Sequence, residues 1–140
     1  MNCPFCNIDK DKTKILADKK YTLVILSNPR LMEGHLLVIP KRHVEKLSEL
    51  NEQEKKELFD TVIEYQEKTL SKLAKGCDIR QNYRPFQIED GLKINHLHIH
   101  IQPRELEDEL YQKCQIHEKN LFTKIKKEEI ERIIKLFGNN

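Results

Sequence analysis

The stretch "NHLHIHIQPR", residues 95–104, sets His96, His98 and His100 at alternate positions, half of the six histidines in a 140-residue chain. Successive side chains of a strand leave on opposite faces, so this spacing sends Leu97, Ile99 and Ile101 to a core and three imidazoles to the other side. Their Cβ atoms then stand roughly 6–7 Å apart, at a rise of about 3.3 Å per residue. A merely polar face would be served as well by Thr, Lys or Glu, so the choice of histidine points to chemistry. Three imidazoles can hold a catalytic metal of the hydrolytic kind. Alternatively, one neutral imidazole attacks a phosphorus centre while its neighbours stabilise the developing charge. Spacing alone leaves both open. The second route needs an uncharged nucleophile, so its rate falls as pH drops through the imidazole pKa, about 6.5 when unperturbed.

A second group lies at the N-terminus, where "CPFC" pairs Cys3 with Cys6. A C-x-x-C pair supplies half of a zinc site and needs two more ligands, for which the histidines are candidates. A redox pair would open a helix after a strand, a context this sequence does not offer. Cys77, Cys114 and His117 receive no role.

Elements must bring these groups together. "KIL" and "YTLVIL" read as strands joined by the polar turn "ADKK", and "HLLVIP" as a third, begun by His35, closed by Pro40 and followed by His43. Residues 51–75 form the clearest helix. Asn51 and Glu54 make its N-terminal capping pair, and Leu50 staples it from outside. Leu58, Val62, Ile63, Leu70 and Leu73 supply its apolar stripe, and Gly76 sits past its end. "CDIRQNY" reads as a strand, "RPFQIEDGLK" as a loop, and "INHLHIHI" as the last strand, stopped by Pro103. From Glu105 onward the tail is mostly helical, with "KKEEIERIIKLFG" amphipathic through Ile130, Ile133, Ile134 and Phe137. A long helix on a small antiparallel sheet is an α+β arrangement.

The totals narrow the class. A chain of 140 residues fits one domain, 1–140. A formal charge of +2, from 25 Lys and Arg against 23 Asp and Glu, lacks the basic excess of a dedicated nucleic-acid binder. No apolar run is long enough for a transmembrane helix, and "MNCPFCNIDK" has no apolar secretory core. A cytoplasmic location is therefore expected, where the four cysteines stay reduced or bind metal.

Two segments, "GHLLVIPKRHVEKL" (34–47) and "HLHIHIQPR" (96–104), resemble the signatures of the histidine triad family of nucleotide hydrolases and transferases. The order of motifs agrees over roughly residues 3 to 104: C-x-F-C, the G-H strand, a long helix, then alternating histidines ending in Pro-Arg. The resemblance implies a five-stranded antiparallel sheet packed with helices, a homodimer, and a purine nucleotide substrate, with no membrane partner. It implies His98 as the nucleophile on an α-phosphate, forming a nucleotidyl-histidine intermediate, with His100 and His35 flanking the phosphate. Within the zinc-containing branch it implies a structural zinc held by Cys3, Cys6, His43 and His96.

The chain departs from that pattern at two places. Where many members carry Gly-Gln-Ser/Thr before the triad, this chain has "GLKIN", so phosphate contacts are expected from Asn82, Gln87 or Lys93. Where members carry an Asp or Asn for the ribose, the candidates are Ser27 and Asn28. Related uridylyl-transferases and phosphorylases usually have glutamine at the third triad position, so His100 tilts the expectation towards hydrolysis of a phosphoramidate or dinucleoside polyphosphate. The competing expectations are a transferase or phosphorylase, a zinc-stabilised nucleotide-binding protein with little turnover, and a metallohydrolase using His96, His98 and His100.

Overall fold

The densest apolar runs of the chain become five short strands in the structure, a computed structural model that describes residues 2–138. They are β1 (Ile15–Asp18), β2 (Thr22–Leu26), β3 (Leu36–Pro40), β4 (Gly76–Arg80) and β5 (Ile99–Arg104). All pair antiparallel in one sheet, in the order β1-β2-β3-β5-β4. The strand that carries His100 is thus interior, with β3 on one side and the edge strand β4 on the other. Between β3 and β4 runs the helix α1 (Glu52–Lys72). The expected α+β fold with a five-stranded antiparallel sheet is what the chain adopts.

The two faces of the sheet bury different sets of residues. Leu97, Ile99 and Ile101 join Val24, Leu36 and Val38 against Leu58, Val62 and Tyr65 of α1. The opposite face gathers Ile25, Leu37 and Ile39 beneath Cys3 and Phe5 of the N-terminal segment, with Ile8, Ile15 and Ile94 at the margin. Alternation along 96–101 therefore does what the pattern implies, although regular pairing begins only at Ile99.

Asn51 caps α1 as expected: its side chain accepts the Glu54 N–H, and Glu54 returns a bond to the Asn51 N–H. The apolar stripe needs correction. Leu58 and Val62 are buried, but Ile63, Leu70 and Leu73 are 58%, 40% and 45% exposed. The buried line follows Glu54, Leu58, Thr61, Val62, Tyr65 and Thr69, a three-and-four spacing from which those residues are rotated away. Polar members of this line find partners: Glu54 takes the Arg42 guanidinium, and the Thr61 hydroxyl donates to the Glu57 carbonyl. Gly76 does not end the helix, which is capped at Leu73. It opens β4 instead, where an added Cβ would sit in ordinary contact with Arg104, at 3.4 Å. Pro103 does not stop β5 either, since the strand runs on to Arg104. Pairing with β3 has already ended at Ile101, so an absent N–H on that side breaks no ladder.

One compact unit reaches to Asp108 and a second begins at Glu109. The second contains α2 (Glu109–Lys113), a 3-10 turn at Gln115–Asn120, and α3 (Lys127–Phe137). Among the described residues, no helix is long and apolar enough to cross a membrane.

Candidate active site and metal centre

The three alternating histidines meet three different partners. His96 is buried and turns towards the N-terminal cysteines. Its Nδ1 lies 3.3 Å from Cys3 Sγ and 3.6 Å from Cys6 Sγ, while His43 Nδ1 lies 3.3 Å from Cys6 Sγ. The four ligand atoms fall within 4.8 Å of one another. A tetrahedral zinc with bonds near 2.0 Å to nitrogen and 2.3 Å to sulfur needs ligand atoms roughly 3.3–3.8 Å apart, so the donor set fits. The His96 Nε2–H donates to the Pro40 carbonyl at 2.8 Å, leaving Nδ1 as the free lone pair. That is the outer-shell bond that orients a metal-bound imidazole. Phe5, between the two cysteines, stacks edge-on against His96 and His98.

His98 faces a different task. Its Nδ1–H donates to the His96 carbonyl at 2.7 Å, which leaves the lone pair on Nε2. Burial pushes its pKa below the ordinary histidine value, with the carbonyl bond opposing in part. The ring is therefore neutral near pH 7, as an attacking nitrogen must be.

His100 and His35 form a relay whose tautomers can be read from one end. The Leu31 N–H donates to His35 Nδ1 at 3.1 Å, so the proton of neutral His35 sits on Nε2. That Nε2–H donates to His100 Nδ1 at 2.9 Å, which places the His100 proton on its own Nε2. Burial, followed by nearby positive charge, lowers His35 to about 4 and His100 to about 3. Gly34, at φ +84°, turns the chain into His35; a side chain there would collide with Leu73. His100 in turn packs at 4.9 Å from His98.

A cavity of about 690 Å³ opens over His96, His98 and His100. Asn82, Gln87 and Lys93 line it, as do Tyr83, Arg84 and Phe86. Lys93 also braces the loop, its Nζ donating to the Gln87 carbonyl at 2.9 Å. Ser27 and Asn28 are not among the lining residues. The Ser27 hydroxyl donates to the Pro29 carbonyl at 2.8 Å, in the loop that carries Leu31 back to His35. Residue-by-residue reading missed Phe5, Arg80 and Arg84. Arg80 was accessible in principle: a strand "CDIRQNY" paired beside the triad puts alternate side chains on the histidine face.

A five-stranded antiparallel sheet that sets three alternating histidines beside one cavity, the third bonded to a histidine just ahead of the neighbouring strand, defines a histidine triad fold. The HIT domain family model matches residues 7–107, and the chain belongs to that family. It is 29% identical over 113 residues to the adenosine 5'-monophosphoramidase hnt1 of Schizosaccharomyces pombe, covering 77% of this chain and 78% of the relative. It is 32% identical over 99 residues to the asymmetrical bis(5'-nucleosyl)-tetraphosphatase of the same organism, covering 69% of this chain and 52% of that protein. In fold it matches a crystal structure of a HIT family protein from Bacillus anthracis with a TM-score of 0.72 at 22% identity, over 99% of this chain and 96% of the other.

Proposed function

We propose that this chain is a nucleotide hydrolase that works through a nucleotidyl group carried on His98. The observation that carries the reading is the bond from His98 Nδ1–H to the His96 carbonyl, which frees Nε2 beside the cavity. In the first step Nε2 attacks the α-phosphorus and the bond to the leaving group breaks. In the second, water attacks the same phosphorus, the P–N bond returns its electrons to the imidazole, and a nucleoside monophosphate departs. His100 Nε2–H, oriented by His35, donates to the phosphoryl oxygens as charge grows there. Asn82, Gln87 and Lys93 add hydrogen bonds from the loop, whereas Ser27 and Asn28, which do not line the cavity, are given no part in holding the ribose.

Zinc on Cys3, Cys6, His43 and His96 would be structural, since four protein ligands leave no open position for substrate. Bound there, it supplies cross-linking of the N-terminal segment to the sheet. The fission yeast relatives act on a phosphoramidate and on a dinucleoside tetraphosphate by name, which supports a labile bond at an α-phosphate as the common target. The reading includes a homodimer in a cytoplasmic setting, with one catalytic domain.

Acid-quenched mixtures of protein with either substrate type should contain an adduct of one nucleotidyl mass on the peptide bearing His98. In His98→Ala that adduct is absent and turnover falls at least about a thousandfold, as for loss of a covalent nucleophile. Undiminished turnover in this variant would refute the mechanism.

A further inference from the structure

The strand beside the triad and the loop after it carry two guanidiniums that the steps above do not use. Arg80 ends β4 directly opposite His100 in the antiparallel register, so its side chain leaves the sheet on the histidine face. Arg84, four residues on, lines the cavity with His98 and His100. The charge of Arg80 is felt at both His35 and His100, and that of Arg84 at His100.

Two other arginines of this unit are neutralised, Arg42 by Glu54 and Arg104 by Asp78 and Asp108, while Arg30 does not line the cavity. Among the described residues, no carboxylate pairs with Arg80 or Arg84. The cavity's lining also includes two acids, Glu45 and Asp90, and the exposed loop acids are held by loop N–H groups. Asp90 accepts the N–H groups of Leu92 and Lys93, and Glu89 accepts that of Asn95. Two guanidiniums without counterions, Arg84 lining the cavity and Arg80 opposite His100 on the adjoining strand, are a receptor for oxyanions, because the planar fork matches phosphate oxygens.

We infer that Arg80 and Arg84 hold the phosphates of the leaving group and thereby select substrates that release a phosphate chain over those that release a neutral amine. The inference rests on the function proposed above and deepens it. When His98 Nε2 bonds to the α-phosphorus, the bond to the bridging oxygen breaks and its electron pair leaves on that oxygen. The departing phosphate chain is a weak base, so it needs positive charge beside it and no proton. An amine departing along a P–N bond must instead collect a proton. A guanidinium, which stays protonated, does not supply that proton, so the two arginines favour the phosphate chain. Water then attacks the α-phosphorus, the P–Nε2 bond breaks, and one proton of the water passes to solvent.

The test compares kcat/KM for diadenosine tetraphosphate, ATP and adenosine 5'-phosphoramidate in the wild type, Arg80→Gln, Arg80→Lys and Arg84→Gln. Each Gln variant should lower the preference for the polyphosphate substrates over the phosphoramidate by about tenfold or more, the worth of one charge-assisted hydrogen bond. Arg80→Lys should recover part of that ratio. Inorganic tripolyphosphate should compete with substrate in the wild type and lose about tenfold in Arg84→Gln, a surface variant with no fold to disturb. Equal losses on ATP and diadenosine tetraphosphate assign the arginines to the phosphate chain itself. A loss confined to diadenosine tetraphosphate assigns them to a chain that also carries a second nucleoside. A preference unchanged in both Gln variants, with the His98 adduct still formed, overturns the inference and leaves the proposed function standing. No adduct from any of the three substrates overturns both.

Discussion

The two faces of the sheet are closed by covers of opposite kind. One lies under α1, whose 21 residues satisfy their own backbone and present Leu58, Val62 and Tyr65 to the strands. The other is closed by the segment before β1, whose described residues, 2–14, hold no strand or helix. Its backbone bonds are local turns, Cys6 and Asn7 to Cys3 and Lys12 and Thr13 to Asp9. Apart from the Leu26 N–H donating to the Lys14 carbonyl where the segment meets β1, side chains tie it to the sheet: Phe5 against two histidines, and two thiols beside two imidazoles. A cover without a hydrogen-bond ladder needs another source of cohesion, and a ligand set is a compact one. The same economy of cover leaves His98 and His100 beside an open cavity, which a helix laid over that face would fill.

The largest test of this contrast is on the helical side. Leu58 is completely buried, and Leu58→Ala should cost about 2–5 kcal/mol in urea unfolding. The loss should be the same with metal present or chelated, because Leu58 packs in the cluster on the α1 face and Cys3 in the one on the other face. A loss that depended strongly on chelator would mean the two covers are one cooperative unit.

Next in size is the response to acid, which only the histidine face should show between pH 6.5 and 4. Folding holds His35 at about 4 and His100 at about 3, against about 6.5 for an exposed imidazole. The unfolded chain therefore binds more protons through this range, and stability rises with pH. It is fully present above about 6.5 and is lost as pH falls towards the folded values, by about 3 kcal/mol for His35 alone. Across the sheet, the Arg42 guanidinium holds the Glu54 carboxyl below its usual range, so that pair yields only in stronger acid. Urea midpoints of chelated protein from pH 7 to 4 measure the first window, and His35→Gln should flatten it.

How much of this was legible beforehand depended on whether the signal was local. The triad was legible because a strand has a period of two and six histidines are few enough for three in alternation to stand out. Asn51 and Glu54 were legible because a capping box spans four residues. The buried line of α1 was less so: three apolar residues, Ile63, Leu70 and Leu73, lost their places to Glu54, Thr61 and Thr69, and the polarity of Glu54 and Thr61 is answered by partners that composition does not reveal. The relay from His35 to His100 joins residues 65 apart in the chain. Arg80 reached the site only because β5 pairs with β4 as well as β3. Neither pairing is periodic, so neither leaves a trace in spacing.

The smallest expected effect is the one that most directly separates a metal-stapled cover from a catalytic metal. If zinc on Cys3, Cys6, His43 and His96 binds the folded state alone, it contributes RT ln(1 + [Zn]/Kd), about 2.7 kcal/mol at a hundredfold excess over Kd. Chelation of the wild type should remove that increment, and Cys3→Ser should lack it from the start and be indifferent to chelator. Because the His98 Nδ1 bond runs to a backbone carbonyl and not to the cluster, the adduct on His98 should still form in both cases, more slowly as Phe5 loosens from the ring. Protease cleavage near residues 2–13 should rise in step with metal loss, while the span of α1 stays protected. Activity that vanished on chelation with no change in stability or protection would move the metal into the chemistry, and the division of labour between His96 and its two neighbours would have to be redrawn.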